Sequence, residues 1–218
     1  MIEKIGEMSV LLYFCCGIAV GKLCSLYVIG YLKKRGVRES KKVLYSPAPE
    51  IAHGLLWGIT ALARQQQGNT PVYCLLCSVL FGIAVVDFYI YEIPLLCNGI
   101  IAGLGLVQIG LDAPHSVSYL MGAFLGGGLF LLVYLLTRKR GIGGGDVKLM
   151  AAAGLLLGAP KILYALFFGC LIAVLVQLPL KWFCKKNSTF ALGPYLVVGI
   201  LGLVWFGDKI LQWEQLLG

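Results

Sequence analysis

Charged side chains are scarce in this sequence. Of its 218 residues, 13% are charged, whereas 59% are hydrophobic. A water-soluble fold cannot enclose that much apolar surface, because too few polar residues remain to cover it. The shortage of charge therefore excludes a soluble protein and predicts a polytopic membrane protein. Tandem repeats and a soluble domain are also lacking, so we expect a single integral-membrane domain over residues 1–218.

Metal-binding patterns are lacking as well. The sequence has two histidines, and its eight cysteines lie almost wholly within apolar runs, where Cys packs as a small hydrophobic residue. Cys74 and Cys77 have the spacing of zinc ligands, but no second Cys or His pair accompanies them in a polar loop. We therefore expect no metal and no cofactor. His53 and His115 have no nucleophile at a recognisable spacing, and we predict that both are interface residues.

Basic residues outnumber acidic ones, which gives a formal net charge of +8. A nucleic-acid-binding protein gathers its basic residues on one face, whereas here they lie between apolar runs, so we predict no nucleic-acid partner. The segments 33–46, 87–93, 138–148 and 181–190 hold six, none, four and three Lys and Arg residues, which is 13 of the 18. The positive-inside rule therefore places these four segments in the cytoplasm.

Eight apolar runs predict an all-α bundle of about eight transmembrane helices. The runs cover, approximately, residues 8–32, 50–63, 72–86, 94–111, 116–137, 147–158, 161–183 and 191–206. The sixth run is short for a bilayer, so we expect its helix either to include part of the glycine segment before it or to lie in a thinned, protein-lined region. Lys22 interrupts the first run, and its side chain either extends toward an interface or pairs with a carboxylate. The first run is spanning length and lacks a basic n-region, which indicates no cleavable signal peptide.

The most informative stretch is residues 141–150, in which Asp146 follows three consecutive glycines and precedes an apolar run. Glycine can adopt a positive φ and lets another chain approach closely, so this stretch could present a carboxylate to a peptide backbone. Alternatively, the glycines only connect two membrane helices and Asp146 only caps the second one. The stretch alone leaves both interpretations open.

A second carboxylate, Asp87, is predicted at the same side of the membrane as Asp146. Acidic residues at the edge of an apolar bundle are costly and usually functional. Two carboxylates that lie close together tend to share one proton, so that one acts as a base toward water while the other acts as an acid toward a carbonyl. The pair therefore predicts the chemistry of an aspartic protease.

Two segments resemble the catalytic signatures of the type IV prepilin peptidases. Asp87 is followed six and seven residues later by Ile93 and Pro94, as in the first signature. Residues 143–149 resemble the second, G-x-G-D-x-K-L, and residues 193–195 are similar to the family's later Phe-Gly-Pro segment. The resemblance extends from about residue 21 onward. Departures from the family pattern are Lys22, Leu95 and Leu192.

The resemblance implies that Asp87 and Asp146 are catalytic. It also implies motif residues around the approaching substrate, namely Pro94, Gly143, Gly145, Lys148, Gly193 and Pro194. The expected partners are the lipid bilayer and a prepilin or pseudopilin, whose basic leader is cleaved at the cytoplasmic face of a bacterial inner membrane. Glu50 and Glu92 are candidates for contacting that leader. The alternative is that both are ordinary carboxylates at the membrane interface with no role in binding.

Family members that also methylate their product carry a longer cytoplasmic loop after the first span, commonly with zinc-binding cysteines. The segment 33–46 is short and has no Cys, so we expect a peptidase without methyltransferase activity. Two alternatives remain: a small proton- or cation-coupled transporter that uses the same aspartates, and an inactive scaffold of a pilus or secretion machine. The sequence does not indicate an oligomeric state.

Overall fold

A computed structural model of the chain describes residues 2–37, 46–64, 67–138, 141–184 and 190–217. Within these ranges the chain forms eight α-helices and one 3-10 turn, and it contains no strand. The helices are α1 (Ile2–Lys34), α2 (Ala48–Ala63), α3 (Thr70–Ile90), α4 (Leu95–Leu111), α5 (Ser116–Leu136), α6 (Gly144–Leu157), α7 (Ala159–Cys184) and α8 (Gly193–Leu217), with the turn at Ala113–His115. The all-α prediction is confirmed. Several predicted orientation signals lie outside the described residues: Arg38, Lys41, Lys42, Lys139, Arg140, Lys185 and Lys186.

Five of the described helices are long and apolar enough to cross a membrane, which makes this a multi-pass membrane protein. The qualifying segments are Met8–Lys34, Thr70–Ile90, Ala113–Leu136, Ala159–Leu180 and Gly193–Trp213. Helices α2 and α6 have 16 and 14 residues, which is short for a span of about 20 residues. As expected, α6 includes two of the glycines before Asp146.

Proline explains where several helices begin. Pro49 lies in the first turn of α2, and Pro94 is the residue directly before α4. The first N–H groups of a helix have no partner within it, so a residue without an N–H loses no helical hydrogen bond there. Pro160 and Pro194 occupy the second positions of α7 and α8 in the same way.

The chain divides into two compact units, Met1–Ile90 and Tyr91–Gly218. In the first unit, α1 packs against both α2 and α3. A Cβ added at Gly21 of α1 would lie 2.8 Å from the Cβ of His53 on α2. Farther along α1, Val28 and Leu32 form a buried cluster with residues of α3. The first unit therefore consists of three helices around an apolar core.

His53 is part of that core. It is 1% exposed, its Nδ1 lies 2.7 Å from the carbonyl oxygen of Pro49, and its ring packs edge-on against Phe81. His53 therefore lies inside the packed helices, with a local hydrogen-bond partner on its own helix. The absence of a side chain at Gly21 lets α1 approach close enough to cover the imidazole.

In the second unit, α5 and α6 pack with their backbones in contact. A Cβ added at Gly122 would lie 2.4 Å from the carbonyl oxygen of Gly154, and one added at Gly126 would lie 2.6 Å from that of Met150. Small residues permit this approach, as the sequence predicts for the glycines of α5. The crossing holds α6, and with it Asp146, against a neighbouring helix.

Candidate active site

Asp87 lies in the last turn of α3 and is 5% exposed. The sequence predicts that this helix ends at Asp87, but the helix continues to Ile90. That boundary is wrong because the residues after Asp87 are apolar and prolong the helix. Tyr91 ends it, since its φ of 55° lies outside the right-handed helical region. The Asp87 carboxylate thus belongs to a helix rather than to a loop.

Asp146 is the third residue of α6 and is 8% exposed. Its Oδ2 accepts a hydrogen bond from the backbone N–H of Gly143 at 3.1 Å. That N–H precedes the helix and has no partner in the helical ladder, so the carboxylate caps the helix start. Asp146 therefore caps α6. The cap also fixes the orientation of the Asp146 side chain.

Two of the three glycines before Asp146, Gly143 and Gly145, lie where an added side chain would be crowded. Gly143, Gly144 and Gly145 are all described, and none has a positive φ. A Cβ added at Gly143 would lie 3.1 Å from Oδ2 of Asp146, and one added at Gly145 would lie 3.1 Å from the Cβ of Ile93. Larger residues would therefore crowd the carboxylate and the neighbouring chain.

The residues that begin α4 lie beside this glycine segment. Ile93 contacts the Gly145 position, and the buried Pro94 follows it with an extended backbone. Asn98, four residues after Pro94, donates from Nδ2 to the carbonyl oxygen of Gly145 at 3.5 Å. The sequence analysis missed Asn98, although a lone amide in the first turn of an apolar helix is a signal that could have found it.

Gly193 and Pro194 form the first turn of α8. The next residue, Tyr195, accepts a hydrogen bond at its hydroxyl from Nε2 of Gln177 on α7, at 2.8 Å. Gln177 also lines an open cavity of about 230 Å³ whose walls are otherwise apolar, formed with Cys170, Ala173, Val174, Leu178, Phe190 and Leu192. The segment 193–195 is thus hydrogen-bonded to α7 next to an apolar cavity.

Comparisons with known proteins agree with these motifs. The pattern of the type IV leader peptidase family matches residues 74–178, which include Asp87 and Asp146. A protein of Aeromonas salmonicida called prepilin leader peptidase/N-methyltransferase is 30% identical over 190 residues, covering 82% of this chain and 64% of that protein. Proteins with the same name from Neisseria gonorrhoeae and Bacillus subtilis are 30% identical over 192 residues and 32% identical over 141 residues. The chain belongs to the type IV leader peptidase family.

The aligned regions cover a larger share of this chain than of its relatives in the type IV leader peptidase family. The Neisseria gonorrhoeae match covers 84% of this chain and 66% of the relative, and the Bacillus subtilis match covers 62% and 55%. The chain therefore spans about two thirds or less of the length of these relatives. No solved structure matches the chain.

Glu50 and Lys148 are predicted to lie near the substrate of this type IV leader peptidase family member, and the structure shows the surroundings of both. Glu50 accepts a hydrogen bond from Lys22 at 2.7 Å, which confirms that Lys22 pairs with a carboxylate. The Glu50 carboxylate, a candidate for contacting a basic leader, is therefore already paired with a lysine of this chain. Lys148, the fifth residue of α6, is exposed.

A separate carboxylate network lies between α4 and α5. Asp112 is bonded to His115 at 2.8 Å and to the hydroxyl of Tyr119 at 2.7 Å. The hydrogen bond from His115, followed by that from Tyr119, holds the pKa of Asp112 below its usual value, because both favour the ionised carboxylate. Among the described residues, no group of three or more His, Cys, Asp or Glu is arranged to hold a metal ion.

Proposed function

We propose that this protein is an intramembrane aspartic endopeptidase. Its substrates are prepilin- or pseudopilin-like precursors, and it removes their basic leader at the cytoplasmic face of a bacterial inner membrane. The observation that carries the proposal is the contact between the two family signatures within the second unit. Ile93 of the first signature lies against Gly145 of the second, directly before the buried carboxylate of Asp146. The names of the relatives support the same activity.

In the proposed reaction, Asp87 and Asp146 act together on one water molecule and one peptide bond. One carboxylate takes a proton from the water, whose oxygen attacks the carbonyl carbon, while the other, protonated, donates to the carbonyl oxygen. The C–N bond then breaks as the carboxyl group that took the water proton donates it to the leaving nitrogen. The other carboxylate takes back a proton from a hydroxyl of the tetrahedral intermediate, which leaves the new carboxylic acid. Carboxylates coupled in this way titrate as a pair with one shared proton. The reaction needs no covalent intermediate.

Glycine at 143 and 145 suits this chemistry. The substrate enters the bilayer as a helix, so its backbone must be extended at the scissile bond before water can attack it. Side chains at these positions would crowd the Asp146 carboxylate or Ile93, as the distances of 3.1 Å show. Because glycine has no side chain, it leaves the space beside the Asp146 carboxylate open to a substrate backbone.

Co-expression with candidate prepilin-like proteins tests the proposed activity. We expect the precursor to lose the mass of its leader when this protein is present, as measured by mass spectrometry of the intact substrate. The loss should be absent when the precursor is expressed alone. An unchanged mass with every candidate precursor would contradict the peptidase proposal and favour a transporter or a scaffold.

Membrane orientation is a separate prediction. We expect Asn69 on the outer side and Ser40 in the cytoplasm, because most basic residues lie in the segments predicted to be cytoplasmic. Single cysteines at these positions, in a background without the native cysteines, should react from opposite sides with a thiol reagent that does not cross the membrane. Labelling of both from the same side would show that the orientation is wrong.

We also propose that the protein lacks N-methyltransferase activity. The relatives are named for both activities, but the segment 33–46 of this chain has no Cys and is too short for a zinc-binding module. Purified protein given a cleaved pilin and S-adenosylmethionine should transfer no methyl group, measured as the mass of the product N-terminus. A gain of one methyl group would contradict the prediction.

A further inference from the structure

Asn98 has two amide atoms in different situations. The side chain is on the first turn of α4 and 5% exposed. Its Nδ2 donates to the carbonyl oxygen of Gly145 at 3.5 Å. Its Oδ1 is buried and has no hydrogen-bond partner among the described residues. The amide is therefore buried with one hydrogen bond from its nitrogen and none to its oxygen.

Neither half of the amide stabilises the resting protein well. An N–H···O distance of 3.5 Å is longer than the usual range of about 2.7–3.2 Å, so the bond to Gly145 is weak. The unpaired Oδ1 has lost its hydrogen bonds to water without replacement, which destabilises the fold. A leucine of similar size would carry neither disadvantage. Stability alone therefore gives no reason for an asparagine at this position.

The Gly145 carbonyl belongs to the peptide group that leads directly into Asp146. The N–H of that same peptide group donates to the carbonyl oxygen of Gly143 at 3.1 Å. Gly143 and Asn98 thus hold the same peptide plane from its two ends. Any rotation of this plane would turn the Asp146 side chain, whose Oδ2 is hydrogen-bonded to the Gly143 N–H.

We propose that Asn98 is a positioning residue for Asp146. Hydrogen bonds of an active site are often long without substrate and shorten in the reacting complex. When a peptide is bound, the Asn98 Nδ2 moves closer to the Gly145 carbonyl and sets the peptide plane, so that the Asp146 carboxylate is correctly aimed for proton transfer. This inference rests on the peptidase function proposed above.

The test is Asn98→Leu in the purified protein, with a leader-bearing substrate. We expect kcat to fall about 10- to 100-fold, the range that a small misplacement of a catalytic group produces, with KM unchanged. The melting temperature should stay the same or rise, because an unpaired buried amide is removed. Asn98→Asp keeps the shape but removes the donor, so it should lower kcat as well and shift the pH dependence of the rate through the added carboxyl group.

Gln108 provides a matched control at the other end of α4. It is 1% exposed, its Oε1 is buried without a partner among the described residues, and its Nε2 donates to the Tyr119 hydroxyl at 3.0 Å. Gln108→Leu should therefore leave kcat unchanged. A normal kcat in Asn98→Leu, or a parallel fall of kcat and melting temperature, would overturn the inference. A normal rate in Asp146→Asn would instead contradict the proposed function itself.

Discussion

Replacing Asp87 or Asp146 by asparagine is expected to lower the rate of leader cleavage by about 10²- to 10⁴-fold. Asparagine keeps the size and polarity of aspartate but cannot take up or release the proton that the reaction requires. At position 146 its side-chain oxygen can still accept the hydrogen bond from Gly143, so the start of α6 should remain capped. Expression and membrane insertion should therefore be unchanged. The rate is measured from the mass of the product over time.

Two other carboxylates of the second unit provide controls for this prediction. Asp208 pairs with Lys161 at 2.5 Å, and Asp112 is hydrogen-bonded to His115. Asp208→Asn and Asp112→Asn remove a bonded carboxylate outside the family signatures, so both should retain cleavage. A fall of less than about tenfold in Asp87→Asn or Asp146→Asn would be too small for general acid–base catalysis. An equal loss in the control variants would show that the effect is not specific to the signatures.

Gly154→Ala is expected to destabilise the protein by about 1–3 kcal/mol or more. The new Cβ would lie 2.1 Å from the carbonyl oxygen of Gly122 and 2.5 Å from its carbonyl carbon. These are backbone atoms that cannot rotate away, so α5 and α6 would have to separate. Alanine otherwise favours a helix over glycine by up to about 1 kcal/mol, which makes a loss of stability the opposite of what helix propensity predicts. The melting temperature in detergent measures the effect.

Gly128→Ala is the matched control. Gly128 lies on α5, and a Cβ added there would have no heavy atom within 4 Å. The same chemical change should therefore leave the melting temperature unchanged or raise it slightly. If Gly154→Ala and Gly128→Ala melt at the same temperature, the close crossing of α5 and α6 does not determine stability.

The helices could be predicted from the sequence because each is an apolar run bounded by prolines or charged residues. The end of α3 could not be placed correctly, since the residues from Phe88 to Ile90 are as apolar as the helix before Asp87. Only the left-handed conformation of Tyr91 ends this helix. A conformation of that kind in a non-glycine residue depends on tertiary surroundings rather than on a local pattern.

The site could be predicted in part. Asp146 and its cap follow from a local pattern, because the donor at Gly143 is only three residues away. The contact between Asn98 and Gly145 joins residues 47 positions apart, and the pair of Lys22 and Glu50 joins residues 28 positions apart. No periodicity or spacing in the sequence indicates such partners, since they meet only when helices pack.

The measurement that most directly tests whether the two aspartates act as one catalytic unit is the cleavage rate of the double variant Asp87→Asn/Asp146→Asn, compared with each single variant. Groups that act together in one step lose nearly all of their contribution when either is removed. In the proposed mechanism the two carboxylates share one proton, which would make them such a unit. The double variant should therefore cleave the leader about as slowly as the slower single variant. Losses that multiply, or a single variant that cleaves at a near-normal rate, would contradict the two-aspartate mechanism.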